Sequence, residues 1–309
     1  MRVRRKFLLW VVGAAAAVVL AGVVCWHFWF SHPMGSGPAG PAVPREPFNT
    51  IWSSRPVLLI GLGDSVTAGF GARKGYSYFE RLLQNPPDEW SDMQGLSLGR
   101  VFPNLSHTNL AVSGSTSLEH ESRQIPRLPY TDTNTLAIVV LTSGGNDLIH
   151  SYGRVPPKEG AMFGATWEQA QPWLTNFESR LERSLAEITQ AFPGGCHIFL
   201  ANIYDPTDGT GDARSVGLPH WPDALRIHAA YNEVIRRCAS RHPQVHMVDL
   251  HEPFLGHGLT SQQFWRPYYR SSDPHYWFFV NLEDPNERGY DAIRRLFLNE
   301  MVKVRDQFR

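Results

Sequence analysis

The chain has 309 residues, with 29 Lys and Arg balanced by 29 Asp and Glu. Zero formal charge excludes a nucleic-acid partner held by bulk electrostatics. A 42% hydrophobic and 19% charged composition excludes long disorder and suits one large α/β domain.

The N-terminus opens on basic MRVRRK, with Arg2, Arg4, Arg5 and Lys6. The run from Phe7 to Phe30 is then apolar except for His27. About 20 apolar residues span a bilayer as a helix, so residues 1–31 read as a basic flank and a transmembrane signal anchor. Its length and bulky aromatic end favour an uncleaved anchor over a cleaved signal peptide. The basic flank predicts a cytoplasmic N-terminus and an extracytoplasmic domain. Residues 32–55 are rich in Gly and Pro and read as a flexible spacer. The folded domain is predicted over 56–309.

Within that domain, apolar runs alternate with helical patterns. Strands are predicted at 56–63, 107–112, 135–144, 196–204 and 245–250. Helices are predicted at 76–84, 167–192, 222–241 and 286–308. This order predicts an open parallel sheet with helices on both faces, and functional residues in the loops after strands. Cys196 opens the fourth strand and Cys238 ends the helix leading to the fifth. In an oxidising compartment the pair is a candidate disulfide; two free buried thiols are the alternative. Asp205, Asp208 and Asp212 follow the fourth strand, but their spacing matches no calcium loop and reads as a solvated turn.

Three blocks carry chemistry. "IGLGDSVTAGFGA" (60–72) sets Ser65 at the end of strand one. "NLAVSGSTS" (109–117) sets Gly114 after strand two, where a backbone N–H can face an anion. "LTSGGNDL" (141–148) sets Asn146, an amide donor, after strand three. All three would converge above the sheet, which is what acyl transfer needs: a nucleophile and donors aimed at the oxyanion.

These blocks resemble those of SGNH (GDSL-type) serine hydrolases, over roughly residues 56–309. The resemblance implies a flavodoxin-like three-layer α/β/α sandwich around a parallel five-stranded sheet of order 2-1-3-4-5, here preceded by one transmembrane helix. It implies ester or thioester hydrolysis, or acyl transfer, without metal or organic cofactor. It also implies an oxyanion hole from the backbone N–H groups of Ser65 and Gly114 and the Asn146 side chain. A non-catalytic module that docks a glycan or lipid is the contrasting class.

The last block departs. The family ends on an Asp-x-x-His-Pro-Asn-like block; "NLEDPNERGY" (281–290) keeps Pro285 and Asn286 but has Asn281 for the Asp and Asp284 for the His. Among thirteen histidines, the base is expected from the long 251–285 segment. His275 is favoured over His257 and His251, with Asp284 or Asp273 orienting it. His120 and His228 read as helix-surface residues. The aromatics of this segment read as a core cap, and some, such as Trp265, Tyr268, Tyr276 and Trp277, as alternative candidates to line an acyl or sugar pocket.

Overall fold

The computed structural model describes the backbone of residues 2–309 and the side chains of residues 6, 7 and 9–309. The side chains of Arg2, Arg4 and Arg5, on which the basic flank depends, lie outside the described residues. In chain order the elements are α1 (Arg2–Trp29), β1 (Val57–Leu62), α2 (Ser65–Ala68), α3 (Tyr78–Leu83), α4 (Leu98–Val101) and β2 (Leu105–Asn109). Then follow α5 (Ser117–Glu119), β3 (Leu136–Thr142), α6 (Gly145–Ile149), α7 (Trp167–Ala191), β4 (Cys196–Ala201), α8 (Ala224–Arg241), β5 (Val245–Val248), α9 (His251–Phe254) and α10 (Glu287–Lys303).

The five strands form one parallel sheet of order β2-β1-β3-β4-β5. Every residue of β3, LAIVVLT, is buried, as a central strand covered on both faces must be. One face packs Leu59, Val140 and Phe199 against Tyr78, Phe297 and Met301 of α3 and α10. The other packs Val139, Leu141 and Ile198 against Leu185, Tyr231 and Ile235 of α7 and α8. Burying a side chain of this size is worth about 1.5–3 kcal/mol. Edge strand β2 is the polar LSHTN and stays largely open.

Two predicted boundaries move for local reasons. β2 ends at Asn109 because that side chain turns inward, donating to the Thr67 carbonyl at 2.8 Å and accepting from the Ala111 N–H at 3.1 Å. β4 ends at Ala201 because the Asn202 amide oxygen captures the N–H groups of Leu250 and His251, at 2.6 and 3.0 Å.

The expected flexible spacer is instead packed onto the domain. The Arg288 guanidinium donates to the carbonyls of Met34, Gly37 and Pro38 at 3.1–3.3 Å. The Ala39 N–H donates to Asp291 at 3.1 Å, and Phe48 and Trp52 join an aromatic cluster with Phe102 and Phe308. The core therefore begins near Ala39 rather than at residue 56. The candidate disulfide is absent: Cys196 and Cys238 are both buried free thiols. Cys196 lies beside Thr189 and Cys238 beside Glu182, so the two thiols have different neighbours.

Candidate active site

Gly63 sits at φ +126, and a Cβ there would run into the Thr142 carbonyl of β3. Its glycine conformation lets β1 end against β3 and turn sharply. Asp64 caps α2, its carboxylate accepting from the Val66 N–H at 3.1 Å and the Thr142 hydroxyl at 2.7 Å. Burial raises Asp64 to about 6, opposed by those two donors and reinforced by the negative charge of Asp284. Ser65 follows, half-buried at the first position of α2.

The second block is stitched to the first. The Val112 N–H and the Ser115 hydroxyl both donate to the Gly63 carbonyl, at 3.1 and 2.9 Å. Gln124 closes the other side: its Oε1 accepts from the Gly63 N–H at 2.8 Å while its Nε2 donates to the Gly63 carbonyl at 2.7 Å. His120, expected on a helix surface, is 4% exposed and lies between Ser115 and Ser143 at 3.1 and 3.0 Å. Burial lowers it to about 4, so it is neutral at pH 7. Between these ties Gly114 stands at φ +79 with open space over it, and its N–H has no hydrogen-bond partner among the described residues.

The third block completes the corner. The Asn146 Nδ2 donates to the Ser115 carbonyl at 3.0 Å, which sets the amide beside the Gly114 turn. Fully buried Asp147 accepts from the Ser117 N–H at 2.8 Å and its hydroxyl at 2.6 Å. Arg180 lies 3.7 Å away. Asp147 thus ties α6 to α5. Burial raises its carboxyl, and the Ser117 donors pull it back.

Asp284 is 1% exposed. Its Oδ2 accepts from the Asn281 amide at 2.6 Å. The Ser65 hydroxyl is near enough to favour the charged carboxylate, and Oδ1 has no hydrogen-bond partner among the described residues. Burial raises Asp284, and the Ser65 hydroxyl and Asn281 amide offset part of that rise.

The other expected base residues lie elsewhere. The chain pairs back on itself: the Phe279 N–H donates to the Asp284 carbonyl and the Asn286 N–H to the Trp277 carbonyl, around a Phe278–Pro285 bridge. Phe279 is therefore opposite Asp284, and His275 lies four residues before it, engaged with other partners. His275 Nδ1 pairs with Asp273 at 2.6 Å. Asp273 is also held by Arg288 at 2.9 and 3.0 Å. His275 packs against Gly35 of the spacer, where any Cβ would collide with the ring. His257 is buried flat on Trp277, centroids 3.5 Å apart, and burial lowers it to about 4. His251 packs on His228. The structure brings Ser65, Gly114, Asn146 and Asp284 to one corner; it does not bring His275 and Asp273 there.

A cavity of about 1170 Å³, open mouth included, starts at Ser65 and Asn146. It runs between apolar side chains that include Ile149, Tyr152, Phe163, Ile203, Leu218 and Leu225. His228, expected on a surface, is its lining histidine, with Nε2 engaged by the Ile203 carbonyl at 2.9 Å. The aromatic candidates are not in the lining: Tyr276 and Trp277 are core residues, and Trp265 and Tyr268 are exposed. Most of the lining comes from segments after β3 and β4, joined by residues after β1 and β5 and by Leu282 and Glu283, in keeping with the rule about strand ends. Gln124 had no sequence signal. Asp205 and Asp208, expected in a solvated turn, are both buried. Asp208 accepts from the N–H groups of Gly256, Gly258 and Thr260, all at 2.8 Å, and pins the next loop. Among the described residues no group of three or more His, Cys, Asp or Glu is placed to hold a metal ion.

No curated protein matches the sequence. The fold is similar to that of an extracellular lipase from Streptomyces rimosus, with 15% identity and a TM-score of 0.54 over 79% of this chain and 99% of that one. It is also similar to an acetyl xylan esterase variant from Geobacillus stearothermophilus, with 17% identity and a TM-score of 0.52 over 81% of this chain and 97% of that one. A family model, the GDSL-like lipase/acylhydrolase family, matches residues 62–292. The chain belongs to the GDSL-like lipase/acylhydrolase family of ester hydrolases.

Proposed function

We propose that the protein is a membrane-attached serine esterase in which Asp284, rather than an imidazole, takes the Ser65 proton. The observation that carries this is a buried carboxylate near Ser65, raised by its burial, with one oxygen held by Asn281 and the other without a hydrogen-bond partner. The Ser65 oxygen attacks the ester carbonyl while its proton passes to Asp284. The oxyanion is held by the backbone N–H groups of Ser65 and Gly114 and by Asn146, whose amide has one hydrogen left after bonding Ser115. Collapse expels the alkoxide, which takes the proton back from Asp284, and leaves an acyl-Ser65. Water then repeats the sequence, with Asp284 as base, to release the acid.

An exposed carboxylate is a weak base for a serine hydroxyl. Burial is what makes Asp284 stronger, and it does so by destabilising the charged form. The apolar cavity supports an acyl group of several carbons rather than a bare acetyl. α1, with Leu9–Trp29 long and apolar enough to cross a membrane and none of its apolar window buried, supports attachment as an uncleaved anchor. The basic N-terminus supports a domain on the extracytoplasmic side. The test uses full-length protein, a serine-directed fluorophosphonate and p-nitrophenyl esters from acetyl to octanoyl. The expected result is an adduct lost in Ser65→Ala and rates that climb with acyl length. Folded protein that forms no adduct contradicts the esterase reading and favours a binding module.

A further inference from the structure

The loop Phe264–Tyr268 leaves five consecutive residues exposed, FWRPY, three of them aromatic. Phe264 is 63% and Trp265 45% exposed. Large neighbouring aromatics in water mark a surface meant to be covered. This patch is continuous with the end of α1. Phe28 packs on Trp265 at 4.8 Å and on Phe264 at 5.8 Å, and Trp29 packs on Trp265 at 5.6 Å. Gln263, 3% exposed, donates to the Phe28 carbonyl at 3.0 Å and closes the junction.

The loop is rigid. Asp208 clamps the N–H groups of Gly256, Gly258 and Thr260 just before it. The Arg266 guanidinium donates to Gln263 at 2.9 Å, and turn hydrogen bonds run from Gln263 to Tyr269. The spacer after α1 is held by Arg288, so the helix end and the domain share one frame.

Depth follows from length. At 1.5 Å per residue, the 21 residues of Leu9–Trp29 extend about 31 Å, close to the roughly 30 Å of a bilayer's hydrocarbon. With that segment in a membrane, Trp29 lies at its surface, and so does whatever touches Trp29. Tryptophan and tyrosine favour that layer, where an apolar ring and a polar edge are both served. Arg266, exposed beside them, stands at the level of lipid phosphates.

We propose that Phe264–Tyr268 is a second membrane contact, a shelf that enters the interfacial layer beside α1 and fixes the domain's orientation on the bilayer. This rests on the reading of α1 as membrane-spanning. The occupant is lipid, because the patch continues the surface of the apolar helix.

The test reads depth in full-length protein reconstituted in phosphatidylcholine vesicles. A single environment-sensitive fluorophore is placed at Phe264→Cys, or at Val18→Cys in the middle of α1. Both are made in a Cys25→Ser background, since Cys196 and Cys238 are buried. Quenching by lipid-borne nitroxides is compared with quenching by aqueous iodide. The expected result is that position 18 is quenched by deep nitroxides, while position 264 is quenched by shallow ones and shielded from iodide. Quenching at 18 with iodide access at 264 overturns the shelf alone. Shielding from both quenchers at 264 means a protein covers the patch and also overturns it. Absence of lipid quenching at 18 overturns the membrane reading and the shelf together.

Discussion

At the scale of residues, Asn281 and Asp284 form a coherent exchange. The block that the family pattern leads one to expect pairs an Asp orienter with a neutral His base, one negative charge in all. In the proposed mechanism the orienter is a neutral amide and the base is the carboxylate, so the charge count is kept while the groups trade places. On that reading, Asn281 does for Asp284 what the missing Asp would do for an imidazole: it holds one oxygen and leaves the other without a partner. The exchange can be reversed. The double variant Asn281→Asp/Asp284→His is expected to stay active, with an acid limb of kcat/KM that belongs to an imidazole, ordinarily about 6.5. In either enzyme the unprotonated group is the base, so activity falls as pH falls through its pKa. The two are told apart by temperature, which moves an imidazole limb and leaves a carboxylate limb nearly still. Ser65 was legible in the sequence because a Gly-Asp-Ser turn after a strand is a local feature. The base was not, because what faces Ser65 depends on how residues 277–279 pair with 284–286. That register cannot be read from spacing, nor can the pairing of His275 with Asp273.

At the scale of elements, the corner around Ser65, Gly114 and Asn146 is made by short pieces that would not hold their shape alone. α2, α5 and α6 have four, three and five residues. Gln124 brackets Gly63 from both sides, and Asp147 caps Ser117. Removing one such tie is expected to loosen the corner without touching substrate. Asp147→Ala frees two donors, at a cost of about 3 kcal/mol. Steady-state kinetics should show kcat falling while KM holds, since the oxyanion forms only in the transition state. Urea unfolding reads the stability loss. An unchanged kcat would contradict the positioning role. The strands and long helices were legible because continuous apolar runs and helical periodicity are strong local signals. The spacer's packing is not legible because Gly and Pro look flexible by composition, while the side chains that hold it, the donor Arg288 and the acceptor Asp291, lie some 250 residues away.

At the scale of the whole molecule, the histidines have other engagements. His197 pairs with His246, and His242 with Glu182. His120 braces Ser115, and His257 lies flat on Trp277. His228 is engaged by a carbonyl in the cavity wall. His275, with Asp273 and Arg288, ties the domain to the spacer that leads to α1. The imidazole closest in sequence to the altered block thus serves the junction with the helix, and the carboxylate is left to serve Ser65. The direct test is kcat/KM for an octanoyl ester, measured on purified Asp284→Asn and His275→Ala beside the native chain. The account predicts a loss of about 10²–10⁴-fold for Asp284→Asn, the usual contribution of a positioned base, and near-native activity for His275→Ala. Loss of activity in His275→Ala, with Asp284→Asn still active, would contradict it.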